Sequence, residues 1–119
     1  MLEHTPNITL PLWPNRQQHA SSQLKLYLPS SHPNTELAIV VVPGGSYRPG
    51  PYGWCKKAEG SDIAFWLSTM GVLGVVLEYR LPAGRPEVPL ADALRAISTI
   101  RERAAARARL MACAAAASS

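Results

Sequence analysis

The run "ELAIVVVP" at residues 36–43 constrains this chain more than any other stretch. It is apolar at odd and even positions alike, so a strand built from it is apolar on both faces of the pleat. Such a strand needs cover on both sides, which a parallel sheet flanked by helices provides. A second run, "VLGVVLEYRLP" at 72–82, repeats the pattern. Between them, "EGSDIAFWLSTMG" at 59–71 places Ile63, Trp66, Leu67 and Met70 at i, i+3, i+4 and i+7, which predicts a helix burying that stripe. Ser61 or Asp62 can cap its start, and Gly71 stands where a left-handed residue ends a helix. After the loop "PAGRPEVP", a helix opens near Pro89 with Leu90, Leu94, Ile97 and Ile100 on one side and arginines largely on the other. Strand, helix, strand, helix predicts an α/β fold with a mostly parallel sheet.

The N-terminal third is rich in Pro, Asn, Ser and Gln. "NITLPLWP" carries Pro11 and Pro14, so it can serve only as an edge strand or extended arm. "LKLYLP" alternates Leu24, Leu26 and Leu28 with Lys25 and Tyr27 and predicts a half-buried strand. An apolar content of 47% with 17% charged residues fits a globular chain, and 119 residues fit one small domain. The net charge of +4 is local: five arginines from Arg95 to Arg109 face the single acid Glu102, while earlier charges balance. Cys55 and Cys113 suit neither a disulfide framework nor a metal site, and no metal or cofactor is expected. No secretory signal or membrane span is legible, so the expectation is a soluble cytoplasmic chain.

Gly44 and Gly45 follow the first apolar strand directly, at the end where open α/β sheets bind ligands. One reading is a tight turn requiring positive φ. The other is an anion or oxyanion cradle of bare backbone N–H groups. A nucleotide cradle is unsupported, because neither G-x-G-x-x-G nor G-K-[ST] occurs and the next helix starts well downstream.

Four segments, "VPGGSY" at 42–47, "AEGSDIAFWL" at 58–67, "EYRLP" at 78–82 and "PLADALRAISTIRERAA" at 89–105, carry a resemblance. In this order the chain resembles the N-terminal part of α/β-hydrolases, in the branch similar to acetylxylan esterases and feruloyl esterases. "LPLWP" at 10–14 also looks like that group's opening. The resemblance implies the N-terminal portion of an incomplete α/β-hydrolase fold over residues 1–109, with 110–119 a low-complexity tail. It implies that the backbone around Gly44, Gly45 and Ser46 forms part of an oxyanion hole, with Tyr47 lining the pocket or packing under the loop. Ser46 stands where the family usually has a third glycine. Tyr79 and Arg80 are read as holding loops together, and Asp92 as an acid in the first turn of a helix meeting its dipole.

Catalysis in that family needs a serine on a G-x-S-x-G elbow, then an acid and a histidine. This sequence has no G-x-S-x-G, and His4, His19 and His32 all precede the glycine loop. The expectation is a hydrolase fragment, inactive as written, whose full-length relatives act on small-molecule or carbohydrate esters. Without the elbow strand, the sheet is expected to have an exposed edge through which copies self-associate. Two alternatives stay open: a noncatalytic binding module, and nucleic-acid association through the arginine-rich helix. Nucleic acid is not the expected partner, since no aromatic residue accompanies those arginines.

Overall fold

In the computed structural model, residues 4–13, 22–30, 34–44 and 59–118 are described, with side chains in the last stretch for residues 60–105. The elements are β1 (Ile8–Pro11), β2 (Gln23–Tyr27), β3 (Ala38–Val41), α1 (Glu59–Thr69), β4 (Leu73–Glu78) and α2 (Glu87–Ser118). The four strands form one mixed sheet in the order β1-β2-β4-β3. Only β3 and β4 run parallel among these pairs, with Val40 opposite Val75. The β1–β2 and β2–β4 pairs are antiparallel. The expected mostly parallel sheet is therefore confined to the β3–α1–β4 crossover, and the Pro-rich N-terminal third adds two antiparallel strands.

β4 lies between β2 and β3, and it is the strand covered on both faces. Its Val75 and Leu77 meet Leu24 and Leu26 of β2 and Ala96 of α2 on one face. Val76 meets Tyr27 and Ala64 of α1 on the other. Fully burying side chains of this kind is worth about 1.5–3 kcal/mol each, so the core is anchored on β4. β3, expected to have that role, is the sheet's other edge among the described residues, and Leu37, Ile39 and Val42 are exposed. Among the described residues it has an apolar sequence but neither a second neighbouring strand nor full cover.

Both helices dock through faces one step round from those expected. α1 buries Ser61, Ala64, Leu67 and Ser68 and leaves Ile63, Trp66 and Met70 exposed. α2 buries Asp92 and Ala96 and packs Ala93 and Ile100 on the core, while Leu90, Leu94 and Ile97 are exposed. The reason on the α1 side is close approach: a Cβ at Gly74 would lie 2.3 Å from the Ala64 carbonyl oxygen. Bulky residues cannot enter that gap.

The end of α1 follows expectation. Gly71 has φ 79°, its N–H bonds the Ser68 carbonyl, and the Val72 N–H bonds that of Leu67, the paired closure of a Schellman motif. The start does not. α1 begins at Glu59, so Ser61 and Asp62 lie inside its first turn rather than capping it. The backbone of α2 continues helically across residue 109 to Ser118, in keeping with the high helix propensity of its Ala-rich end. Among the described residues, no helix is long and apolar enough to cross a membrane.

Candidate functional site at the carboxyl ends of β3 and β4

β3 and β4 are parallel, so their carboxyl ends open on the same side of the sheet and bring Pro43 and Gly44 beside Tyr79 and Arg80. Three contacts fix the start of the glycine loop. The parallel register holds Val41 opposite Val76. The hydroxyl of buried Tyr79 donates a hydrogen bond to the Pro43 carbonyl. Gly60, in the first turn of α1, leaves room for the Pro43 ring: a Cβ there would come within 3.0 Å of Pro43 Cγ and 3.2 Å of Val76 Cγ1. The glycine of "AEGSD" is thus a packing requirement beneath the loop.

Gly44 is exposed, and a Cβ on it would meet nothing within 4 Å. Its φ lies outside the left-handed region, so the turn reading does not hold at this position. Its bare backbone leaves room for a ligand. Gly45, Ser46 and Tyr47 lie outside the described residues.

Arg80, directly after Tyr79, reaches Asp92, which is fully buried at 0% exposure. Asp92 Oδ1 accepts from Trp13 Nε1 and Arg80 Nη2, each at 2.8 Å. Its Oδ2 accepts from the Arg80 backbone N–H at 2.8 Å and the Ser22 hydroxyl at 3.1 Å. Arg80 Nε lies 3.1 Å from both oxygens. Trp13 stands against two guanidinium groups, with Arg80 5.7 Å and Arg95 5.6 Å from its ring centre. Asp92 lies in the second turn of α2, which starts at Glu87, so the dipole reading is replaced by a buried ion pair that joins the N-terminal arm, β4 and α2. The reading of Tyr79 and Arg80 as loop holders agrees with these contacts. Sequence reasoning missed Trp13 and Ser22 as partners. One usable signal was Ala96, four residues after Asp92 and therefore on its face of the helix.

Burial alone would push the Asp92 carboxyl up. Hydrogen bonds from the Arg80 side chain, the Arg80 backbone and Trp13, together with the Arg80 charge, outweigh it and hold the carboxyl below its ordinary 3.8. A carboxyl held low in the folded state stabilises fully above the ordinary value, and that contribution is lost as pH falls below it. Arg80→Ala deletes the guanidinium hydrogen bonds and charge but keeps the backbone N–H at position 80 and the Trp13 hydrogen bond, so the carboxyl moves up from its wild-type position. Less stability then depends on ionised Asp92, so lowering the pH from about 5 to about 3 should cost Arg80→Ala less than it costs the wild type. Urea unfolding at the two pH values checks this, and parallel behaviour of the two proteins would refute it.

His4 stacks on Phe65 of α1 with ring centres 3.8 Å apart, and its Nε2 is 3.9 Å from Asp62 Oδ1. It is thus engaged with the surface of α1; His19 and His32 lie outside the described residues. Among the described residues, no three His, Cys, Asp or Glu side chains gather as a metal site.

In comparisons with known proteins, the chain is 30% identical over 90 residues to an acetylxylan esterase of Xylanibacter ruminicola, covering 76% of this chain and 18% of that protein. The relationship to esterases is distant, and the chain spans less than a fifth of that relative's length. No family model and no solved structure matches.

Proposed function

We propose that this chain supplies the oxyanion-loop portion of a serine carboxylic-ester hydrolase of the α/β-hydrolase type, similar to acetylxylan esterases. The observation that carries the reading is the anchored start of the glycine loop: Pro43 is held by Tyr79, and exposed Gly44 stands at the carboxyl end of β3. The similarity to an acetylxylan esterase supports it independently.

The chemistry would run as follows. Attack on an ester carbonyl places negative charge on the former carbonyl oxygen. Were the N–H groups of Gly44, Gly45 and Ser46 held in place ahead of reaction, they would meet that charge without reorganising, each worth about 10²–10³ in rate. Tyr47 would border the acyl or alcohol pocket. The nucleophile would come from a G-x-S-x-G elbow on a further strand, and this sequence has none. Among the described residues β3 has no second neighbouring strand, and its apolar edge suits such a strand.

The 119-residue chain alone should therefore show no turnover of 4-nitrophenyl acetate above buffer. The deciding experiment is sequencing the native transcript through and beyond the Arg109 codon. An in-frame strand and G-x-S-x-G, followed by an acid and a histidine, is the expected result. A transcript without them would overturn the reading in favour of a noncatalytic binding module.

A further inference from the structure

We infer that Tyr79 sets which way the Pro43–Gly44 peptide faces, and that Asp92 holds Tyr79 to this task through the backbone of Arg80. The functional meaning rests on the oxyanion reading above; the geometry does not.

A trans peptide points its carbonyl and its N–H in opposite directions. Whatever fixes the Pro43 carbonyl therefore fixes the Gly44 N–H. Proline's ring locks its own φ, so this peptide swings through the Pro43 ψ together with the Gly44 φ, which glycine leaves soft. The ring is also held in place beside Gly60 and Val76. A counter-rotation of these two torsions thus separates two states of the loop's first peptide. In one, Gly44 presents a donor away from the core. In the other, the Pro43 oxygen turns toward that side and would repel an anion.

The Tyr79 hydroxyl selects the first state by donating to the Pro43 oxygen from a buried position. A phenol can do this only if its own backbone is fixed. Asp92 Oδ2 accepts the N–H of Arg80, the residue directly after Tyr79, at 2.8 Å. Trp13 and Ser22 hold the same carboxylate from the N-terminal arm. The chain of contact is continuous: carboxylate, Arg80 peptide, Tyr79 ring, Pro43 carbonyl, Gly44 N–H. Tyr79 and Asp92 are positioning residues, for neither would touch the substrate.

The test is NMR on the isotopically labelled full chain, reading the Pro43 carbonyl carbon and the Gly44 amide nitrogen. Tyr79→Phe removes only the hydroxyl and should shift both signals, leaving the Lys25 and Val76 amides of the β2–β4 pair at wild-type positions. Asp92→Asn should shift the same two signals when Tyr79 is present and add nothing in the Tyr79→Phe background. A role in general stability alone would not produce that dependence. Trp13→Phe keeps an aromatic ring beside Arg80 and Arg95 but withdraws its N–H from Asp92. It should give a smaller shift in the same direction, and it replaces Asp92→Asn should that variant not fold. Wild-type signals in Tyr79→Phe, or in the Asp92 and Trp13 variants that fold, would overturn the inference. The readout involves no ester, so the expected shifts together with a native transcript that encodes no G-x-S-x-G would sink the oxyanion reading alone.

Discussion

Asp92→Ala should lose about 3–5 kcal/mol of folding stability, the usual cost of removing one member of a buried ion pair. The loss comes from what remains. The Arg80 side chain, 19% exposed, would keep its charge without the carboxylate. Trp13 Nε1, the Ser22 hydroxyl and the Arg80 backbone N–H would lose their acceptor together. A buried donor left unsatisfied costs about 1–3 kcal/mol, but these terms do not add, because Arg80 can swing toward solvent and water can enter the vacated space. Against a whole-domain stability of about 5–15 kcal/mol, such a loss should leave much of the chain unfolded at room temperature. Urea unfolding should show a lower midpoint with an unchanged slope. The double variant Arg80→Met with Asp92→Leu is the informative control, since replacing both members of a buried pair with apolar residues is often close to neutral. It should be the more stable of the two variants. A single-variant loss under about 1 kcal/mol would show that the network is not the junction described.

The elements of the fold were legible where the signal was local. Gly71 ended α1 as its position predicts, and the two apolar runs formed a parallel pair joined by a helix. Pro11 marked β1 as an edge, which it is. Burial was misjudged because it depends on neighbours. "ELAIVVVP" reads as a fully covered strand, yet it borders the sheet, while β4, with a glycine at its second position, takes the centre. Both helix faces were misassigned in part for one reason: Leu67 and Ile100 pack as expected, but hydrophobicity marks the large residues, whereas much of the buried face is Ala64, Ser68, Ala93 and Ala96. At the candidate site, the "YR" of "EYRLP" was assigned to holding loops together, and the contacts agree. The third member, Asp92, was not recognised. Its partners Trp13 and Ser22 lie 79 and 70 residues away in sequence, and no local pattern registers a contact over that separation.

Gly74→Ala tests the close contact that explains the helix faces, and it should cost about 3 kcal/mol, the upper part of the range for overpacking. The added methyl would lie 2.3 Å from the Ala64 carbonyl oxygen, 2.7 Å from its Cα and 2.8 Å from its carbonyl carbon. All three are backbone atoms, so no rotamer change relieves the clash. α1 must move off the sheet or β4 must bend, and either weakens the packing of Ala64 and Tyr27 on Val76. The diagnostic variant is Gly74→Ala combined with Ala64→Gly. If the obstacle were the Ala64 side chain, the second change would restore stability. The atoms in the way remain when that methyl is deleted, and a glycine inside a helix costs about a further 1 kcal/mol. The double variant should therefore be no more stable than Gly74→Ala. Rescue would show that the helix can settle closer to the sheet than the contact with Gly74 allows, and the reason given for the exposed Ile63, Trp66 and Met70 would fall with it.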